Sequence, residues 1–249
     1  MKPLRPVFAV ALFLCLVPVL AAAETERVHK VVPLAPGGTL KLDNFSGQVR
    51  ITGADVSQVT IDAVRTAPQD RLDHIKLDIQ ATDSTVTIQA NKKESGWSHQ
   101  QDNVVETEFD IQVPRSTRLD VKVFSSPVHV RNVSGELSLH SFSGETTVED
   151  GAARIDAKTF SGALAVHLAN GVTGPDLNLE TFSGGIDLRV PAEARAALSF
   201  DSFSGTLTSD LPLTLHEQKR GHLRADLNGG DAQRSMRLKT FSGNVKIGK

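Results

Sequence analysis

The sequence predicts an all-β protein, a parallel β-helix-like solenoid behind a less regular N-terminal β-region, from three observations. One tripeptide, Phe-Ser-Gly, recurs along the 249-residue chain. Apolar and polar residues alternate on both sides of each copy, the period-two signature of strands with one buried face. No segment has convincing helical periodicity, and only Ala192–Ala197 has the composition of a single turn.

The first 23 residues stand apart from this pattern. Lys2 and Arg5 give a positive start, Val7 to Leu20 is almost unbroken in apolar residues, and Ala21, Ala22 and Ala23 supply the small residues of a cleavage site. This is the layout of a secretory signal peptide, with cleavage expected between Ala23 and Glu24. The apolar run, interrupted by Pro18, is short against the about 20 residues of a membrane span. Cys15 is the only cysteine, and Phe13 and Leu14 before it are not the small residues of a lipoprotein site. The processed chain therefore lacks cysteine, which excludes disulfides and thiolate zinc sites. It is expected in the periplasm, on the cell surface or outside the cell, with no later membrane-spanning segment.

Composition narrows the partners. There are 29 acidic and 27 basic residues, and two of the basic ones lie in the leader. That balance argues against a nucleic-acid binder, which carries a concentrated basic stripe. Tyrosine is absent and there is one tryptophan, so ligand stacking on those side chains loses weight.

Residues 24–115 contain strand-like runs at Val28–Val32, Thr39–Leu42, Gln48–Thr52, Gln58–Val64, Ile75–Ile79, Thr85–Ala90 and Thr107–Val113. Asn91 to Asn103 reads as a polar loop. This region is expected to cap the solenoid, because an uncovered edge strand invites further pairing.

Residues 116–249 carry the repeat. The corner motif stands once in the N-terminal region, at Phe45-Ser46-Gly47, and here at Phe142-Ser143-Gly144, Phe160-Ser161-Gly162, Phe182-Ser183-Gly184, Phe203-Ser204-Gly205 and Phe241-Ser242-Gly243, with a degenerate Phe124-Ser125-Ser126. From Phe124 the steps are 18, 18, 22, 21 and 38 residues, and Gly221 reads as a corner that lost its phenylalanine within the long step. Two short strands per period of about 20 residues describe one solenoid coil. Thr159 and Leu164 are five apart yet both should face inward, so the corner must reset the phase, a task suited to glycine at positive φ. The expected inward ladders are Leu139, Ala157, Leu179, Phe200, Leu238 and Val148, Val166, Leu188, Leu207, Ile247. Crossovers between parallel strands are overwhelmingly right-handed, which sets the expected hand. An antiparallel sandwich buries the same faces but gives no reason for one motif at near-constant spacing.

The order of these elements resembles a large family of exported bacterial β-strand-repeat proteins, known as putative adhesins or as a domain of unknown function. Gly37 to Gly53 looks like the family's opening strand, turn and strand, Val59–Val64 like the next strand, and Phe109–Pro114 like its strand ending in Val-Pro. The run from Gly221 to Gly230, closing at Gly243, resembles its glycine-rich last coil. The departure is phenylalanine before nearly every Ser-Gly. The resemblance implies a β-solenoid in a cell-envelope setting, without established catalytic residues.

Possible chemistry has blander rivals. Two residues before each Phe, an outward column reads Asp43, His140, Lys158, Glu180, Asp201, Lys239, which places Glu180 and Asp201 on neighbouring coils as a conceivable acid–base pair. Lysines in the same column favour a solvated face. A second column, Glu149, His167, Arg189, Asp210, reads the same way. The repeated serines are expected to form a hydroxyl ladder satisfying corner backbone groups, since a nucleophile does not come in multiple copies. The eight histidines show no metal-ligand spacing, and Leu227-Asn-Gly-Gly-Asp231 reads as a plain turn. The phenylalanines are expected to turn inward, because each buried ring is worth about 2 kcal/mol.

The functional expectation is a non-enzymatic exported envelope protein, adhesin-like or scaffolding, with no cofactor and an envelope protein or polysaccharide as partner. A binding module of an envelope-stress system is the alternative, and a carbohydrate-active enzyme on a β-helix the more remote one. N-terminal sequencing of the exported product is expected to read Glu-Thr-Glu-Arg from Glu24, and a product retaining Met1 would refute the cleavage site.

Overall fold

The alternation of inward apolar and outward polar residues is realised in two long sheets that share one hydrophobic core. The computed structural model describes residues 23–94, 104–231 and 233–249. The leader and most of the polar 91–103 stretch lie outside the described residues. In the N-terminal part the strands are β1 (Glu24–Pro33), β2 (Thr39–Ser46), β3 (Val49–Ala54), β4 (Gln58–Ala67), β5 (Ile75–Ala81), β6 (Thr85–Lys93) and β7 (Glu106–Pro114). Every run expected there forms a strand, and β6 continues into the start of the expected loop.

One short helix, α1 (Gln69–His74), was not foreseen. It follows Pro68, carries Asp70 in its first turn and buries only Leu72, against Ala67, Ile75 and Val105. One apolar residue in six leaves no 3.6-residue period to read. At the other place considered, only residues 192 and 193 turn, and Ala196 already begins a strand.

The remaining strands are β8 (Arg118–Ser125), β9 (Val128–Arg131), β10 (Leu137–Ser143), β11 (Thr146–Gly151), β12 (Arg154–Ser161), β13 (Leu164–Leu168), β14 (Asp176–Ser183), β15 (Ile186–Arg189), β16 (Ala196–Ser202), β17 (Leu207–Ser209), β18 (Leu213–Lys219), β19 (His222–Leu227), β20 (Ser235–Ser242) and β21 (Val245–Gly248). Each Phe-Ser-Gly carries the chain from one sheet to the other, so the flanking strands never pair as a hairpin. Successive coils instead pair in parallel and in register: Val121, Leu139, Ala157 and Leu179 stand side by side in one sheet. Val130, Val148, Val166 and Leu188 do so in the other. All are buried, and each such aliphatic side chain contributes about 1.5–3 kcal/mol relative to exposure.

Spatial order departs from chain order at both ends. The last coil, β20 with β21, lies between β14/β15 and β16/β17. At the other end, β2 and β3 lie between β6/β7 and β8/β9. The inward ladder therefore runs Leu179, Leu238, Phe200, and Leu207 sits opposite Val245, with Ser209 opposite Ile247. Both sheets continue without a break across residues 115 and 116.

The added strands at the ends are antiparallel. β4 pairs with β7 and β1 with β4, while β5 pairs with β6. Arg65, buried between these layers, donates to Glu26 and to the Ile75 carbonyl. At the far end β18 and β19 form a hairpin laid on β16. Gly221, at φ 72°, makes its tip. It is thus a hairpin turn and not a lost corner: the 38-residue step contains an antiparallel excursion instead of a second coil.

The corner glycines answer two demands. Gly47 and Gly144 have φ of 98° and 120°, as expected of a phase-resetting corner. All six, however, sit where coils approach closely. A Cβ on Gly162 would lie 2.1 Å from the Gly144 carbonyl oxygen, one on Gly184 2.0 Å from that of Gly162, and one on Gly243 2.0 Å from that of Gly184. Gly162 needs no positive φ, so contact alone excludes a side chain there. Gly162→Ala is expected to cost about 1–3 kcal/mol or more through this overlap. Gly171→Ala, at φ 85° with open space around it, should cost only about 1 kcal/mol from backbone strain. Equal losses in urea denaturation would refute the contact account.

Candidate functional site

The feature that stands out lies on the edge formed by the corners. Along β10 the chain alternates without interruption: Leu137 in, Ser138 out, Leu139 in, His140 out, Ser141 in, Phe142 out. The same phase puts Phe45, Phe124, Phe160, Phe182 and Phe241 outside, each 41–47% exposed, and Phe203 outside at 73%. The expected inward ladder of phenylalanines is therefore overturned. Thr159 and Leu164 are both buried, as expected, and Thr159 facing inward already obliges Phe160 to face outward.

The inner corner position is polar for a reason. There the chain turns away from the sheet and leaves carbonyls that need donors. Thr181 Oγ1 donates to the Gly184 carbonyl at 2.8 Å, Ser141 Oγ to the Ser143 carbonyl at 3.1 Å, and Asn44 Nδ2 to the Ser46 and Thr107 carbonyls at 3.0 Å. Ser202 Oγ instead accepts from the Gly205 N–H at 2.6 Å. At these four corners the side chain before the Phe thus does the work assigned in sequence to the motif serines, whereas Val123 before Phe124 is apolar and the buried Thr159 hydroxyl has no partner among the described residues. Ser161, Ser183, Ser204 and Ser242 are exposed, and Ser46 and Ser143 half-buried. The corners are also stitched through backbone, with Gly144 N–H donating to the Ser161 carbonyl and Gly162 N–H to the Ser183 carbonyl.

Outward rings in register must stack. In spatial order Phe45, Phe124, Phe142, Phe160, Phe182, Phe241 and Phe203 have centroid separations of 4.6–5.0 Å. From Phe124 to Phe203 consecutive rings are within 5° of parallel, whereas Phe45 departs by 15°. The stripe spans six strand spacings, on the order of 30 Å. Its ring faces cover one another, so what it offers to a partner is ring edges. Sugars and cations prefer ring faces, and the interior rings have none to give.

The charged column flanks this stripe on the outer sheet face. In spatial order it reads Asp43, Lys122, His140, Lys158, Glu180, Lys239, Asp201. Glu180 and Asp201 are consequently not neighbours. Lys239 of the inserted coil stands between them and donates to Glu180 at 2.7 Å. Asp201 instead meets His222 Nδ1 at 2.6 Å. Nearby, Lys219 hydrogen-bonded to Glu217 holds that carboxyl below its ordinary range. The acid–base pair conceivable from spacing does not form. Between rings and charges run shallow grooves of about 440, 620 and 500 Å³, the middle one lined by Lys122, His140, Lys158, Phe142, Phe160 and Phe182.

The other sequence candidates disperse. Glu149 pairs with Arg131 at 2.7 Å, His167 stands beside Arg189, and Arg189 has Gly248, not Asp210, as its neighbour. Asn228, at φ 50°, turns the chain between β19 and β20 and donates to the Ala192 and Ala194 carbonyls. Among the described residues no group of three or more His, Cys, Asp or Glu could hold a metal ion, and no helix is long and apolar enough to cross a membrane.

The sequence pattern of the Toastrack DUF4097 family matches residues 117–248. No curated protein matches. Among solved structures, a putative cell adhesion protein from Clostridium sporogenes is 11% identical, with a TM-score of 0.53, over 90% of this chain and 99% of that one. A putative adhesin from Bacteroides fragilis is 10% identical, with a TM-score of 0.42, over 89% of this chain and 97% of that one.

Stacking makes a stability prediction. Phe160 touches two rings and Phe203, among the described residues, one. Each stacked pair is worth about 0.5–1.5 kcal/mol beyond burial. Phe160→Ser is therefore expected to destabilise by about 1 kcal/mol more than Phe203→Ser in urea titrations, and equal costs would mean that the stack contributes nothing.

Proposed function

The chain belongs to the Toastrack DUF4097 family, and from that premise we propose that it is an exported, non-enzymatic protein of the cell envelope, adhesin-like or scaffolding, that works by presenting a binding surface. One observation carries this reading: a continuous stripe of stacked, outward-facing phenylalanines along one edge. At about half exposure each ring leaves roughly 90 Å² open. Seven together reach the largest apolar patches found on monomeric proteins, which mark interaction sites.

The stripe is also built in. Phenylalanine stands at seven corners where many exposed residue types would satisfy the backbone equally well. Ring edges instead of faces favour a protein partner over a polysaccharide. The leader layout supports delivery to the envelope by the general secretory route. The cell-adhesion name of the Clostridium relative agrees with a binding role. Strands β1, β4 and β5 fit the capping role read from the N-terminal sequence, because antiparallel additions interrupt the parallel stacking that would otherwise continue.

In-cell photo-crosslinking tests the reading. Benzoylphenylalanine at position 160 is expected to give discrete adducts, while the same residue at position 189, on the opposite sheet, gives few. Equal yields from both faces would refute a dedicated surface.

A further inference from the structure

We infer that the partner on the phenylalanine stripe is a second copy of this chain, docked antiparallel with ring edges against ring edges. The inference rests on the reading of the stripe as a binding surface. Three features carry it: the near-parallel rings, area and the order of charges.

A twisted edge touches a flat partner at one place only. Here six rings from Phe124 to Phe203 stay within 5° of parallel from one to the next. Two such stripes can therefore lie along each other over their whole length. Six half-covered rings supply roughly 500–600 Å² per copy. With the stems of the flanking Lys and Glu side chains, the contact approaches the about 800 Å² per partner of a standard interface. A small ligand fits less well, because the grooves beside the rings are shallow and a bound molecule normally loses most of its surface to the protein.

Charge order selects the orientation. A two-fold axis lying in the contact plane and perpendicular to the stripe brings the two charged columns together head to tail. Crossing between Phe160 and Phe182, it sets Lys158 against Glu180 of the second copy and Lys122 against Asp201 of the second copy, each twice by symmetry. His140 then faces Lys239 of the second copy, the one unfavourable match. All six parallel rings are in contact, including Phe203, the most exposed. An axis through Phe160 itself would oppose Lys122 to Lys239 and Asp43 to Asp201. An axis between Phe142 and Phe160 also matches opposite charges, but it engages the tilted Phe45 and leaves Phe203 uncovered. Parallel docking would set the charged column against the other flank of the stripe, where Glu145 is the one charge beside Ala163, Gly185 and Asn244.

Sedimentation of the processed chain at micromolar concentration is expected to show a dimer. Phe160→Ser should weaken it about tenfold or more, as loss of a central contact does. Lys158→Glu should weaken it, and Lys158→Glu with Glu180→Lys should restore it. The processed chain has no cysteine of its own, so an equimolar mixture of Lys122→Cys and Asp201→Cys chains should oxidise to covalent dimers, whereas Asp43→Cys with Asp201→Cys should not. Unchanged circular dichroism and a cooperative urea transition establish that each variant folds, Phe160→Ser with the lower midpoint that loss of its two stacked neighbours entails. A folded wild type that remains monomeric at 100 μM, or a dimer that crosslinks equally through position 189, overturns the inference. If it is monomeric yet position 160 crosslinks to another molecule in cells, the binding surface stands and the second copy falls.

Discussion

The structure depends on one constraint: each coil must pass its neighbour at strand spacing, corner included. Within a sheet, the parallel hydrogen-bond ladder meets this requirement without special residues. At the corner the chain leaves the ladder, and the glycine of one coil comes against a backbone carbonyl of the neighbouring coil's corner, that of Ser126 for Gly144 and of a glycine for Gly162, Gly184, Gly243 and Gly205. At the six glycine corners only a residue without Cβ fits, whereas the Phe124 corner accommodates Ser126. Because Gly144, Gly162, Gly184, Gly243 and Gly205 all meet the same condition, the coils cannot slip against each other, and every other position is held in register.

Register then dictates the chemistry of each column. Inward positions become aliphatic ladders. The inner corner becomes a column of Thr, Ser and Asn, broken once by Val123, in which Thr181, Ser141 and Asn44 satisfy carbonyls left by the turn. The outward residue beyond it becomes a column of its own, and here that residue is phenylalanine. Rings repeated at strand spacing are close enough to stack face to face, so the register that protects the core also builds the apolar stripe. The stripe follows from the corner geometry together with the choice of one residue type.

The ends obey a different rule. A solenoid of parallel coils exposes strand edges, and the chain covers them by returning antiparallel: β4 and β1, β5, and the β18–β19 hairpin. It also places β2/β3 and β20/β21 one coil inward of their sequence positions. These two insertions decide local chemistry. Lys239 enters between Glu180 and Asp201, turning a possible carboxylate pair into an ion pair and a separate His222–Asp201 contact.

Strand content, parallel coils and the corner positions were legible in the sequence, because alternation and repeat spacing are local and each coil repeats them. The outward phase of the rings was legible too: Thr159 inward implies Phe160 outward, and the energetic attraction of burying phenylalanine outweighed that count. Coil order was not legible. Leu238 suits a place beside Leu179 as well as one beside Phe200, and nothing local distinguishes the two. Nor was the role of Gly221, since a hairpin tip and a corner ask the same of glycine. The sequence alone determined which residues face inward and which outward, a property of backbone geometry. Only the tertiary structure decided which coils are neighbours, and hence which charges meet along the stripe, because that choice rests on contacts between residues far apart in the chain, 59 positions at Glu180 and Lys239 and 79 at Asp43 and Lys122.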